Sequence, residues 1–422
     1  MNILALSINY TPEPTGFAPH VAYLCEHLAD KGHSVKVITG FPFAPHWSRY
    51  KQDRRKFYIR ERIKNVDVHR LTHFIPRKPR KMIQRLLMES SFSLIAALIL
   101  LGGKNFQTDI IIYVGAQPSI AMIARFVAWW KGVPYAIVIN DLAAQAAVDV
   151  GTVNTKWLAK ILETFEYAAY RRAIGAIVLC PSFKKALEAH QYPASRIRVI
   201  PSPVDLDMIR PVNDGHAFRK ALGLKSFDFV VLFSGSMGVK QGLTNVIEAA
   251  VLLKAENPNV KWVLVGDGEL RNVVEKKISE HAMGGCIYLL PFQPESQMSA
   301  MFSAADVLLL NQLSTMKDTV IPSKLLTYMA AGRPVLAAVN SKSQASILLN
   351  EAKGGIVVTP EDPLALAMAV KRLHDNQDSL QRMGLRNRKY AEKHFDRKQI
   401  VKAQEAFLIE ISNDFKIALG HG

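Results

Sequence analysis

Cysteine is scarce. The 422 residues hold three, Cys25, Cys180 and Cys286, odd in number, far apart and without Cys-x-x-Cys or Cys/His ligand spacing. That argues against a disulfide framework or a structural zinc, and a reducing compartment is expected. A secretory leader is lacking too. The N-terminal run Met-Asn-Ile-Leu-Ala-Leu-Ser-Ile-Asn-Tyr has no basic segment before its apolar residues and reads directly as a strand, so a cytoplasmic protein is expected. Low-complexity tracts are absent, and 49% apolar residues are enough for ordinary cores, which excludes a disordered chain. Acidic charge is in deficit: 53 Lys+Arg stand against 36 Asp+Glu, a formal net charge of +17. The excess is local. Residues 1–210 carry 28 basic and 15 acidic side chains, leaving 25 and 21 for the rest, and the stretch 49–85 alone carries 14 basic against Asp53, Glu61 and Asp67.

The length calls for two domains, since domains usually settle at roughly 100 to 200 residues. Short β-branched runs alternate with helical patterns in both halves, as in parallel sheets of βαβ units. Strands are expected at Ile3–Ile8, Ser34–Thr39, Asp109–Val114, Tyr135–Ile139, Ala176–Leu179 and Ile197–Ile200, then at Phe229–Ser234, Lys261–Val265, Ile287–Leu290, Val307–Leu310, Val335–Ala338 and Gly355–Val358. Pro201-Ser202-Pro203 follows a strand and denies helical geometry, which places a linker there. The expected domains are 1–203 and 204–388, followed by a helical segment, 389–422, that crosses back to the first.

Three loops have the form of anion sites, each after a strand and before a helix. Asn9 to Ala18 contains Gly16; Phe233 to Gly242 contains Gly235, Ser236, Lys240 and Gln241; Val265-Gly266-Asp267-Gly268-Glu269 contains two more glycines. Glycine lets backbone approach a ligand, and the first N–H groups of a helix favour an anion. None of the three is the Gly-x-Gly-x-x-Gly dinucleotide fingerprint, and Gly-Asp-Gly serves equally as a tight turn. In Pro322-Ser323-Lys324 through Ala331-Gly332-Arg333-Pro334-Val335, Ser323 and Lys324 fall at a helix start at the carboxyl edge of a parallel sheet, where open α/β folds bind ligands. The same serine would also suit a cap with Lys324 solvated.

In order and spacing these segments, with Lys31-Gly32-His33-x-Val35 and Val199-Ile200-Pro201, resemble the family-4 glycosyltransferases over nearly the whole chain, within the branch that builds colanic acid and O-antigen polysaccharides. The resemblance implies the GT-B architecture: two Rossmann-like, doubly wound parallel-sheet domains facing a cleft, with the acceptor on the first and a UDP- or GDP-linked sugar on the second. It also implies retention at the anomeric carbon, with neither metal nor cofactor beyond the nucleotide-sugar co-substrate. Donor binding is expected of Gly16, Gly235, Ser236, Lys240, Gln241, Gly266, Gly268, Phe292, Ser323, Lys324 and Thr327, and acceptor binding of Tyr10, Glu13 and His20. Fixed dipoles and cations would then stabilise the leaving diphosphate. Asp141, directly after the strand Tyr135–Ile139, is the expected catalytic residue, positioning the acceptor hydroxyl or stabilising positive charge on the sugar; a helix-start carboxylate is the competing role.

The chain departs from the family where it matters. Many members carry a Glu-x7-Glu pair near sugar and ribose, and the matching positions here are Thr319 and Thr327, with Asp318 adjacent. A catalytically degenerate GT-B scaffold therefore stays open, as does a sugar-nucleotide epimerase. Arg77, Lys78, Arg80, Lys81 and Arg85 lead into an apolar run, Phe92–Leu101, too short to span a bilayer at about 20 residues. Basic then apolar is an interfacial pattern, so the inner leaflet and a polyprenyl-diphosphate-linked saccharide acceptor are the expected partners. The patch lacks interleaved aromatics or a reading motif, and no nucleic acid is expected.

Overall fold

Strands covered on both faces need no polar alternation, and the short apolar runs of this sequence form buried parallel strands. The computed structural model describes residues 1–13, 17–44, 46–78, 81–102, 106–149, 153, 155–212, 214–316 and 321–418. It divides into two compact units, Met1–Ser202 with Lys398–Gly422, and Pro203–Arg397.

The first unit runs β1 (Asn2–Leu6), α1 (Ala18–Asp30), β2 (Ser34–Gly40), β3 (Tyr58–Ile63), β4 (Val66–Leu71), α2 (Met82–Gly102), β5 (Ile110–Gly115), α3 (Pro118–Lys131), β6 (Tyr135–Ile139), α4 (Ala143–Asp149), α5 (Lys156–Tyr170), β7 (Gly175–Val178), α6 (Pro181–Ala189) and β8 (Ile197–Val199). Its eight strands lie in the order β3-β4-β2-β1-β5-β6-β7-β8. All neighbours are parallel except β3, which is antiparallel to β4 on the edge. The order reverses between β1 and β5, so the loops after those strands open the crevice where such sheets bind ligands.

The second unit runs α7 (Gly215–Ala221), β9 (Phe229–Ser234), α8 (Leu243–Lys254), β10 (Val260–Val265), α9 (Arg271–Glu280), β11 (Ile287–Leu290), α10 (Met298–Ser303), β12 (Val307–Asn311), α11 (Ser323–Ala330), β13 (Val335–Ala338), α12 (Gln344–Ala352), β14 (Gly355–Val358), α13 (Pro363–Asp375) and α14 (Gln377–His394). Its sheet, β11-β10-β9-β12-β13-β14, is parallel throughout, with the reversal between β9 and β12. Val230 and Leu232 of β9 face one core, with Tyr328 and Met329 of α11; Val231 and Phe233 face the other, with Val246 and Ile247 of α8.

A last helix, α15 (Arg397–Ala418), belongs to the first unit. Its Ile400, Phe407, Leu408 and Ile411 join Val21 and Leu28 of α1 over Ile110, Ile112 and Val114 of β5. Packing is close enough that a Cβ on Gly175 would lie 2.6 Å from Ile411 Cδ1. The chain returns at Lys398 rather than at 389, because α14 is tied to the second unit: Asn387 Nδ2 donates to the Arg333 and Gly354 carbonyls at 2.8 and 2.7 Å, and Arg388 Nη1 to those of Ile209 and Ala330 at 2.8 Å each.

The hairpin β3–β4 lies inside the stretch 49–85 that reads as a basic surface patch. Part of that charge is paired. Arg60 bonds Asp67 at 2.8 Å, Lys56 bonds Asp53 at 3.1 Å, and Arg70, which is 3% exposed, bonds Glu61 at 2.5 Å and the Thr11 carbonyl at 2.5 Å. The basic residues of this segment are thus partly a strand-pairing device.

Candidate functional site

In the second unit, Gly235 directly follows β9 at the reversal of strand order, at a φ of +135°. A Cβ there would lie 2.3 Å from Cε of Lys324, the second residue of α11, so the lysine stem occupies the space glycine leaves. Lys324 Nζ donates to Gln241 Oε1 at 3.1 Å and lies 4.0 Å from the centroid of the Phe233 ring. Burial lowers its ammonium to about 7. Among the described residues its partners are an amide oxygen and an aromatic face, both neutral.

The remaining parts hold this corner in place. Tyr328 Oη accepts from Ser234 N–H at 2.9 Å and donates to the same residue's carbonyl at 3.1 Å, pinning α11 to the end of β9. Asn311 Nδ2 donates to the Gln241 and Gly242 carbonyls at 2.7 and 3.1 Å. Arg271 Nη1 reaches the Gly266 and Leu290 carbonyls at 2.7 and 3.1 Å. Sequence reasoning passed over all three, whose partners are main-chain atoms of other loops. The Gly266 and Gly268 positions are set by packing. A Cβ on Gly266 would fall 1.9 Å from the Gly235 carbonyl oxygen, and one on Gly268 would fall 2.9 Å from the Met237 backbone. They let the loop after β10 lie against the loop after β9.

Ser323 opens α11 and is exposed; Pro322 takes the cap position, and no side chain caps that helix. The serine is therefore not the cap that its sequence position allowed. Thr327 Oγ1 donates back to the Ser323 carbonyl at 3.1 Å, within its own helix. Lys240, Ser236 and Phe292 are exposed, the last at 51%. Gly16, Asp318 and Thr319 lie outside the described residues.

In the first unit Asp141 follows β6, and its Oδ1 accepts the Leu142 N–H at 2.9 Å. It lies just before α4. The first N–H groups of α4, those of Ala143 and Ala144, go to the buried carboxylate of Glu166 at 2.8 and 3.0 Å, and Tyr170 Oη donates to it at 3.1 Å. Burial, helped by the charge of Asp141, pushes Glu166 up to about 7. Glu89 of α2 is likewise pushed up to about 7 by burial, with Ser119 Oγ donating to it at 3.3 Å. Neither glutamate carries a sequence signal, since the Ala143 and Ala144 amides and the Ser119 hydroxyl that they meet are 22 to 30 residues away in the chain.

Two expected acceptor residues belong to the interior. Tyr10 is 1% exposed, packed in the α1–α15 core, and burial lifts its phenol far above its ordinary range. Glu13 is buried and hydrogen-bonded through both oxygens: Oε1 accepts from Phe43 N–H at 2.8 Å and Ala44 N–H at 2.9 Å, and Oε2 from Asn9 Nδ2 at 2.8 Å. It ties the loop after β1 to the loop after β2. His20, partly exposed on α1, is lowered to about 4 by burial and is neutral at physiological pH. Arg77 and Lys78 precede α2, and Lys81 and Arg85 stand at its start, all exposed. Arg80 lies outside the described residues.

Comparison with known proteins places both units. Residues 15–203 match the model of the glycosyl transferase 4-like domain, and residues 215–390 that of the glycosyl transferases group 1. The chain is 26% identical over 408 residues to WcaI of Escherichia coli K12, whose name assigns it to colanic acid biosynthesis, covering 95% of this chain and 98% of that one. It is 24% identical over 356 residues, 83% of this chain and 87% of the other, to the 2-deoxystreptamine glucosyltransferase of Streptomyces kanamyceticus. Among solved structures, Anabaena HepE in complex with UDP superposes with a TM-score of 0.71 at 16% identity, over 97% of this chain and all of that one (100%). The lipopolysaccharide glycosyltransferase WaaG superposes at 0.68 and 15% identity, over 95% and 99%. Two parallel-sheet α/β units with these matches define a family-4 glycosyltransferase of the GT-B fold, and the chain belongs to that family.

Proposed function

We propose that the protein transfers a sugar, with retention at the anomeric carbon and without a metal, from a UDP- or GDP-linked donor on the second unit to a polyprenyl-diphosphate-linked saccharide on the first. The product would be an intermediate of bacterial surface polysaccharide, made by an enzyme resting on the inner leaflet. The observation that carries the donor half is Lys324. A cation set at the reversal of the sheet, beside a glycine with positive φ and contacting only neutral groups among the described residues, is completed by an anion. The diphosphate of a nucleotide sugar supplies it, and the N-terminal turn of α11 adds its dipole.

The chemistry asked of the chain is modest. As the bond from the anomeric carbon to the phosphate oxygen breaks, charge grows on the departing diphosphate, and Lys324 stabilises it in place. Asp141 would orient the acceptor hydroxyl, whose proton passes to the donor phosphate oxygen. Glu166 holds the α4 end of the Asp141 loop through the Ala143 and Ala144 amides.

A panel of nucleotide sugars, tested for binding by calorimetry and for transfer by mass spectrometry, checks this reading. One donor is expected to bind and turn over, with activity persisting in EDTA and an unchanged anomeric configuration by proton NMR. Failure of every donor to bind would sink it and leave the scaffold reading.

A further inference from the structure

We propose that the surface docking this enzyme to the membrane is a three-helix wall, α2–α3–α5, which lies flat on an anionic phospholipid bilayer and inserts Trp129, Trp130 and Trp157. The inference rests on the membrane part of the function proposed above and replaces its presumed contact, the basic lead-in to α2, with a defined face. The three helices pack side by side in that order. Each buries one stripe and presents another, also apolar, to solvent. On α2, Phe92, Ala96 and Leu100 face inward while Leu87, Leu94 and Leu98 are 52, 62 and 63% exposed. On α3, Ala124 and Val127 face inward while Phe126, Trp129 and Trp130 are 40, 69 and 63% exposed. On α5 the outward stripe is Trp157, Ile161 and Phe165, at 67, 54 and 42%. A soluble surface seldom leaves so many large apolar side chains together on one layer.

Charge and residue type select the occupant. Tryptophan prefers the boundary between headgroups and acyl chains, which suits three exposed indoles better than a dry protein contact does. The acids on α2, α3 and α5 are Glu89 and Glu166, which are withdrawn as described, and Glu163, which is taken up by Lys160 at 3.0 Å and His190 at 2.9 Å. Basic residues frame the wall: Lys81 immediately precedes α2 and Arg85 lies in its first turn, and Lys156 and Lys160 begin α5. Both helices follow strands as crossover connections, so both basic ends lie toward the carboxyl edge of the sheet, the edge that carries Asp141. The wall is polarised, cationic toward the substrate edge and aromatic along its length. By its 21 residues and mean hydropathy of 1.6, α2 is long and apolar enough to span a bilayer. Phe92, Ala96 and Leu100 are committed to the protein interior, and with one face so engaged the helix lies in the interface plane.

The test is flotation of the full chain with phosphatidylcholine vesicles, with and without a phosphatidylglycerol fraction. Of the five tryptophans, Trp262 is fully buried and Trp47 is partly exposed outside the wall; the triple variant keeps both, so the emission change it loses belongs to the wall. The expected result is binding to the anionic vesicles, a blue-shifted emission quenched by brominated acyl chains, and at least a tenfold loss of partitioning in W129S/W130S/W157S. K156Q/K160Q should weaken binding in low salt only. Thermal unfolding of each variant, unchanged at these solvent-facing positions, guards against misfolding. If the wild type floats and the triple variant floats equally well, the wall is overturned and the basic lead-in remains the contact. If the wild type does not float, wall and membrane reading fall together, while transfer to a water-soluble acceptor analogue still reports on the transferase reading. Self-association through the wall, seen by light scattering and abolished by the triple variant without any vesicle binding, would also overturn the proposal.

Discussion

Lys324 makes pH a probe of the donor site. Its ammonium is held at about 7 by burial, and a bound diphosphate would favour the charged form. Donor affinity should therefore be greatest below pH 7 and fall as pH rises above it, by up to about tenfold per unit, with proton uptake on binding at pH 8 measurable by calorimetry in buffers of different ionisation heat. Lys324→Met should cost about 2–5 kcal/mol of nucleoside-diphosphate binding. It should also stabilise the free protein, most below pH 7, where the buried ammonium is charged against its preference, with the gain fading as pH rises from 7 towards 10.5. Gly266→Ala has a different signature. Its Cβ has nowhere to go beside the Gly235 carbonyl, so about 3 kcal/mol of stability and the geometry of the donor loop should be lost together, read by denaturant unfolding and by nucleotide titration. Tyr10 and Glu13 carry the converse lesson. A polar residue in a loop after a strand reads as a substrate contact, and in this fold it satisfies main-chain donors or fills a core.

Among the elements, the parallel strands were legible because burial on both faces makes them short apolar words between glycines and prolines. The hairpin β3–β4 was not, because an edge strand wears charge. Tyr58-Ile59-Arg60-Glu61-Arg62-Ile63 alternates as a strand should, but its arginines merge into the surrounding basic run, and Lys64 turns the corner in the left-handed region without a glycine to announce it. At the candidate site, Gly235, Gln241 and Lys324 were legible from their places at strand and helix ends. Tyr328, Arg271 and Glu166 were not, since each acts on main-chain atoms that no local pattern pairs with it. Helix α2 offers its own test. Glu89 is raised to about 7 from its ordinary 4.5, so the folded state holds this proton more tightly than the unfolded one. That contribution is fully present below pH 4.5 and lost as pH climbs through 7. Glu89→Gln, which keeps a partner for Ser119, should stabilise the protein by on the order of 1 kcal/mol at pH 8 and by little at pH 5, seen as a difference in Tm.

For the whole molecule, the two units differ in how they are assembled. The second is continuous in sequence, whereas the first draws its sheet from residues before Ser202 and part of its cover from α15. Phe407→Ala should cost about 3–5 kcal/mol and act on the first unit. Limited proteolysis of that variant is expected to cut around α1 and β5 before the second unit is touched. Synthesis is vectorial, and domains usually fold as they emerge. Here the ribosome must deliver the entire second unit before Ile400, Phe407, Leu408 and Ile411 exist to cover the first. The nascent protein therefore carries an incomplete, apolar leading half through most of its translation, a client for holding chaperones, and its second half is the one equipped to mature first.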